Sequence, residues 1–294
     1  MELSLECRPD SYQEWYKKGN KLKAQGYYYE ALSSYERALN YQPSDYWTWY
    51  RKGVVFEALG YYIEAIDSFE RAATIEPRNY WSWYEQACIY FTEFKQYERA
   101  IACLKHALES RPRDYWAIYR LGESYRKLGQ SERAIDCYNR ALELRPDDFW
   151  SYYRRGETQQ HQGELKQALD SYELALEAEP NDYWAWRQKG VIYQQLKQFE
   201  RAIECYQAAL ELDSKADSTW YCLAVCYAEL DNTINNSNWA IICLEKAIDL
   251  NPEKHLKLAI CESVWSIFRQ KQGFKLLIKN KSCKYGVSEL DSNT

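Results

Sequence analysis

Trp47, Trp81, Trp116, Trp150 and Trp184 recur at intervals of 34 or 35 residues. Tyr50, Tyr84, Tyr119 and Tyr153 stand three places after the first four, with Tyr16 one interval earlier in the same register. Indole and phenol rings at fixed spacing offer stacking faces, hydrogen-bonding edges and seats for cations, which is the chemistry of recognition and not of bond making. Bond making needs a nucleophile, a base or a metal held together. The three histidines, His106, His161 and His255, share no motif, and the chain has no phosphate-cradling loop, HExxH or GxSxG. Glu30 and Glu64 lie one interval apart, which marks surface or helix-start carboxylates and not an acid/base pair. Cys222 and Cys226 are one helical turn apart and Cys261 follows, but neither a paired CxxC nor a histidine in register completes a metal set. The expectation is a non-enzyme with no catalytic residue, no metal and no cofactor.

The elements that carry the rings are legible in the same interval. Pro9, Pro43, Pro77, Pro112, Pro146 and Pro180 are 34 or 35 residues apart, and Pro252 follows after two intervals and an insertion, with Ser214 in the intervening slot. Gly26, Gly60, Gly129 and Gly163 keep one phase, Gly19, Gly53, Gly122, Gly156 and Gly190 a second, and Trp15, Trp49, Trp83, Trp186 and Trp220 a third. A period of this length marks a stacked array. With Tyr46 as position 1, residues at positions 4, 8 and 11 (Trp49, Gly53, Phe56) and at 20, 24 and 27 (Ala65, Phe69, Ala72) recur with helical spacing, so each repeat holds two amphipathic helices. Glycine at position 15 breaks the chain between them, proline at position 32 ends the second, and Asp45, Asn79, Asp114, Asp148 and Asp182 stand where they cap the next.

That order of large, small, aromatic, Ala, aromatic, Ala and Pro resembles the tetratricopeptide repeat. The match recurs at residues 12–45, 46–79, 80–114, 115–148, 149–182, 183–216 and 217–254. The resemblance implies an all-α fold, a right-handed α-α superhelix of seven helix-turn-helix repeats, with a lead at 1–11, a capping helix at 255–272 and a basic then polar tail at 273–294. The extra residue in repeat three and the Asn-rich stretch 231–238 read as length tolerance in the loops between paired helices.

The resemblance also implies a concave groove for a protein or peptide partner, lined by positions 2, 5, 9, 12 and 13. Here these hold the five tryptophans at position 2, Tyr16, Tyr50, Tyr84, Tyr119 and Tyr153 at position 5, and Asn20, Glu123 and Glu157 at position 9. Arg51, Arg120 and Arg154 border them at position 6, interrupted by Glu85 and Gln188. The lining is expected to be apolar in repeats two and three and more polar in repeats four to six, suiting a segment with aromatic and acidic groups. Members that grip acidic chaperone tails place lysine at position 5, where this chain has Tyr16, so that clamp is not expected. Two readings of the tryptophans stand side by side: rings that stack and stiffen the array with little left exposed, or anchors for a partner. Rival classes are a module stacking on polysaccharide or single-stranded nucleic acid, and a homo-oligomer joined end to end through an uncapped first repeat.

A formal net charge of −5 gives no sign of general nucleic-acid affinity. No apolar run is long enough for a transmembrane segment and the start lacks the features of a signal peptide, so a cytoplasmic location is expected. Cys103, Cys137, Cys205 and Cys243 share position 23 with serines elsewhere, the mark of small packed thiols. The basic stretch 269–284 reads as the frayed, solvated end of the capping helix, with a membrane-surface contact as its alternative.

Overall fold

A computed structural model describes residues 11–230 and 234–285. Most of the lead, residues 231–233 of the Asn-rich stretch and the end of the tail at 286–294 lie outside the described residues. Among the described residues every regular element is helical. The chain divides into two bodies, residues 1–146 and 147–294.

The first body holds four helical pairs: α1 (Tyr12–Ala24) with α2 (Tyr28–Tyr41), α3 (Tyr46–Ala58) with α4 (Tyr62–Ile75), α5 (Tyr80–Thr92) with α6 (Tyr97–Ser110), and α7 (Tyr115–Lys127) with α8 (Ser131–Leu144). The second holds α9 (Phe149–His161) with α10 (Leu165–Ala178), α11 (Tyr183–Gln195) with α12 (Phe199–Leu212), and α13 (Asp217–Glu229) with α14 (Ile234–Leu250), followed by α15 (Pro252–Cys261) and α16 (Gln272–Tyr285). The expected caps are in place: Asp45, Asn79, Asp114, Asp148 and Asp182 each accept a hydrogen bond from a backbone N–H in the first turn of the following helix.

Each conserved-in-register residue type has a local cause. Gly26, Gly60, Gly129 and Gly163 adopt φ between +72° and +82°, the left-handed conformation that ends a helix cheaply. Repeats three and six reach it with Lys95 and Lys197 at φ 53° and 57°, so the turn survives without glycine. At position 8 the cause is space: a Cβ on Gly53 would sit 2.7 Å from the Phe69 ring, and one on Gly190 would sit 2.7 Å from the Tyr206 ring. Phe69 and Tyr206 are fully buried, each contributing about 1.5–3 kcal/mol of transfer free energy.

The position-4 tryptophans and the prolines keep common time because they bond to each other. The indole Nε1 of Trp49, Trp83 and Trp186 donates to the carbonyls of Pro43, Pro77 and Pro180 at 2.8–2.9 Å, and Trp220 donates to the stand-in Ser214 at 2.9 Å. Position-1 tyrosines reach the next repeat. Tyr46 donates to Asn79 at 2.8 Å and accepts from Ser82 at 3.0 Å, Tyr80 donates to Asp114 at 3.0 Å, and the hydroxyls of Tyr183 and Thr219 lie 2.6 Å apart. A buried phenol must find such a partner.

The C-terminal end differs from expectation. The helix expected over 255–272 stops at Cys261, two 3₁₀ turns (Ser263–Trp265 and Phe268–Gln270) follow, and α16 begins at Gln272. The basic stretch is therefore a packed helix and not a solvated end: Phe274 and Leu277 are buried against Trp265 and Phe268. Lys281 is buried between Glu245 at 2.8 Å and Asp249 at 2.7 Å. Apolar residues in GFKLLI on one helical face drive this docking.

Candidate functional site

The position-2 indoles are open to solvent. Trp47, Trp81 and Trp116 in the first body are 42%, 37% and 54% exposed, and Trp150 and Trp184 in the second are 51% and 57% exposed. The reading in which stacking leaves little of them exposed does not hold, because position 2 lies nearly half a turn from the stripe of positions 4, 8 and 11. Each indole instead stands edge-on to the position-1 ring before it, with centroids 5.0–5.2 Å apart for Trp47, Trp81, Trp116, Trp150 and Trp184. In repeats three and four an arginine from the end of the second helix lies beside both rings: Arg111 is 4.9 Å from Trp81, and Arg145 is 5.1 Å from Trp116. These contacts hold the indoles in place without covering them.

The position-5 tyrosines are not a second exposed row. Tyr50 and Tyr153 are buried, and Tyr16, Tyr84 and Tyr119 are half-buried. Their rings pack on the position-24 aromatic of the same repeat: Tyr16 on Tyr35, Tyr50 on Phe69, Tyr119 on Tyr138 and Tyr153 on Tyr172, at 5.5–6.2 Å. Ring spacing alone did not distinguish the two rows. The neighbouring helix decides it, since position 5 faces the second helix of its own repeat.

In the first body, charge enters the surface where an apolar lining was expected for repeats two and three. Glu85 turns inward and accepts from the Tyr50 hydroxyl at 3.1 Å. Burial raises its carboxyl pKa, while Tyr50, Arg120 and Lys23 oppose that rise. Lys23 is lowered first by burial and then by the charge of Arg51. Glu57 is raised by burial and by Glu85 and Glu93. Burial lowers Arg120, but Cys88, Tyr84 and Glu85 outweigh it and the net shift is upward. The Nε of Arg51 is buried with no hydrogen-bond partner, so this cation holds donor capacity in reserve. Position counting marked Glu85 only as an interruption of the position-6 arginines and did not include it in the lining. The alternation Arg51, Glu85, Arg120 along position 6 was the available signal.

The remaining candidates are largely engaged within their own repeats. Asn20 accepts from Tyr35 at 2.9 Å. Glu123 takes both Arg126, at 2.9 Å, and the Tyr138 hydroxyl, at 2.5 Å. Arg154 pairs with Glu157 at 2.9 Å and lies over Trp150 and Tyr153. These are positioning contacts that leave the indoles as the open features of the surface.

The histidines are apart: His106 packs on Trp83, His161 is exposed, and His255 is buried 2.6 Å from Asp217. Among the described residues, no group of three or more His, Cys, Asp or Glu could hold a metal ion. The nine cysteines among them are free thiols, and burial pushes Cys137 and Cys205 up to about 11 and Cys103 and Cys243 up to about 12. Such thiols are inert. No helix among the described residues is long and apolar enough to cross a membrane.

Family models described as tetratricopeptide repeat match residues 16–80, 82–114, 103–136, 149–182 and 183–215, and one described as TPR repeat matches 122–163. No curated protein matches the chain by sequence. Among solved structures, YrrB, described as a TPR protein with an unusual peptide-binding site, is 25% identical with a TM-score of 0.56, over 66% of this chain and 98% of its own. The C-terminal part of a TPR repeat-containing protein from Cytophaga hutchinsonii aligns with a TM-score of 0.66 at 18% identity, over 82% of this chain and 96% of its own. MamA from Desulfovibrio magneticus RS-1 aligns at 0.53 and 22% identity, over 58% of this chain and 97% of its own.

Proposed function

This chain belongs to the tetratricopeptide repeat family, and on that premise we propose that it is a non-catalytic scaffold that binds an extended or helical segment of a partner protein on its position-2 indoles, with Trp47, Trp81 and Trp116 of the first body as one row of anchors and Trp150 and Trp184 of the second as another. The observation that carries the reading is the exposure of all five rings, each fixed edge-on to the ring before it, which is buried in four cases and half-buried at Tyr183. A large apolar ring already held in one orientation loses little entropy on binding and is the side chain most often found at energetic centres of interfaces. Arg111 beside Trp81, Arg145 beside Trp116 and the unmatched donor of Arg51 in the same body favour acidic groups beside the aromatic ones. The description of YrrB as peptide-binding supports the same class of partner.

The test begins with peptides selected on the chain from a random display library. Affinity is then measured by fluorescence anisotropy for the wild type and for Trp81→Ala combined with Trp116→Ala. Loss of two anchors at about 2 kcal/mol each weakens binding by about a hundredfold or more, with little change in melting temperature, because both rings are exposed. Unchanged affinity, or a melting temperature that collapses with binding, sinks the proposal. Single-stranded RNA and a soluble glycan serve as controls at two salt concentrations, and stronger, salt-dependent RNA binding favours the rival class.

A further inference from the structure

On the other side of α5, between repeats two and three of the first body, lies a cleft of about 560 Å³ lined by Trp83, Gln86 and Tyr90 of α5, Glu70 of α4, and Arg99 and Cys103 of α6. Trp83, Gln86 and Tyr90 form one helical stripe, roughly half a turn from the stripe holding Trp81, Tyr84 and Cys88. The cleft is therefore separate from the proposed indole surface.

Its origin is a single register position. Position 7 is Lys52 in repeat two and Lys189 in repeat six, and each spans the seam to the preceding repeat, meeting Glu36 at 3.0 Å and Glu173 at 2.9 Å. In repeat three position 7 is Gln86, and the residue equivalent to those glutamates is Glu70. No hydrogen bond or ion pair spans this seam from Gln86. Its side chain is 1% exposed, and its Nε2 is buried without a hydrogen-bond partner. An unmade hydrogen bond at such depth is costly and is retained where something supplies the acceptor.

We propose that this cleft binds a phenol, an uncharged aromatic ring bearing a hydroxyl. The ring lies against Trp83 and Tyr90, and its oxygen accepts from Gln86 Nε2. Glu70 and Arg99 leave the lining electrically balanced, which suits an uncharged ligand, and the Glu70 carboxylate is an acceptor for the phenolic proton. The chain uses this pairing itself. In the equivalent cleft of the second body, Gln207 Nε2 donates to the Tyr227 hydroxyl at 3.1 Å. Phenols also meet carboxamides at Tyr35 with Asn20, Tyr172 with Gln160 and Tyr206 with Gln194, at 2.7–3.1 Å.

The phenol can be free or can be a tyrosine side chain of a partner, and the two are separated by the probes. p-Cresol and N-acetyltyrosinamide are titrated into the full chain at up to millimolar concentration. Toluene and N-acetylphenylalaninamide are the hydroxyl-free controls, and methyl resonances of Ala73 and Ala102, which also line the cleft, are the reporters. The phenols bind about tenfold more tightly than their controls, and Gln86→Lys, which spans the seam as Lys52 does, weakens them about tenfold or more. Gln86→Leu keeps the fold and the apolar walls but abolishes the preference for the hydroxyl. Binding of p-cresol alone assigns a free phenol, and binding of both assigns a tyrosine side chain. No shift at the two alanines, equal affinity for the controls, or indifference to Gln86→Lys overturns the proposal. Trp81→Ala and Trp116→Ala leave cleft binding intact, so failure here and failure of the scaffold reading are separable.

Discussion

Replacing Gly53 by alanine tests one of the close approaches in the first body. The added Cβ would lie 2.7, 2.8 and 2.9 Å from three atoms of the Phe69 ring, and Phe69 is fully buried with nowhere to swing. Two effects oppose each other. Alanine in a helix interior is favoured over glycine by about 1 kcal/mol, while overpacking a filled site costs about 1–3 kcal/mol. Three simultaneous sub-van der Waals contacts with one enclosed ring place the cost near the upper end, for a net loss of about 1–2 kcal/mol. Gly156 provides the contrast, since its added Cβ meets Ser171, Tyr172 and Ala168 at 3.2–3.3 Å. There the propensity gain nearly cancels the squeeze, and Gly156→Ala lies within about 0.5 kcal/mol of wild type. Repeat arrays open locally, so the assay is native-state hydrogen exchange by mass spectrometry. Amides of α3 and α4 should exchange about 5–30-fold faster in Gly53→Ala, and those of α9 and α10 should be little changed in Gly156→Ala. Equal effects at the two glycines, or slower exchange in Gly53→Ala, would refute the close-approach account.

Two further outcomes follow from the titratable groups. His255 is held below its ordinary 6.5 by burial, against the pull of Asp217 and Glu262 and with the push of Lys254. Burial raises Asp217, but the hydrogen bond from His255 and the charge of Lys254 outweigh it and hold it below 3.8. Both groups bind protons more readily when unfolded. The docking of α15 on α13 is thus complete above 6.5, weakens as pH falls through and below that value, and weakens again below 3.8. Melting curves on both sides of 6.5 detect the upper step, and His255→Phe removes it. The thiol of Cys103, pushed up from 9.0 to about 12, alkylates at least about a hundredfold more slowly at mildly alkaline pH than in the unfolded chain. Peptide mapping after iodoacetamide checks this, with the exposed Cys261 and Cys283 labelled first.

Most of the helical grammar was legible because each recurring residue answers a local demand. Asp45 and Asn79 cap, Gly60 turns left-handed, and Gly53 makes room for Phe69. Where a demand can be met in more than one way, counting types was insufficient: Lys95 and Lys197 enter the left-handed region without being glycine. The site was legible in part. Periodicity placed Trp81 and Tyr84 on one face, yet only the position of the second helix made one ring open and the other supporting. The inward turn of Glu85 depends on Tyr50 one repeat earlier, a relation that spacing within a repeat does not contain. The C-terminal segment escaped because it leaves the 34-residue frame, and the docking of Phe274 and the pairing of Lys281 with Asp249 are contacts across distant sequence.

The reach of Tyr46 and Tyr80 into the cap residues of the following repeat gives the array a direction. Shortening it from the front removes a donor and leaves Asn79 or Asp114 still able to cap its own helix. Cutting it from the back strands an enclosed phenol whose acceptor has gone. Growth and trimming of such a chain are therefore unequal at its two ends, and the trailing end requires a dedicated terminator. In the second body Tyr221 donates to Glu262 and accepts from Trp265 in the segment beyond the last repeat, which makes that segment the stopper for the series.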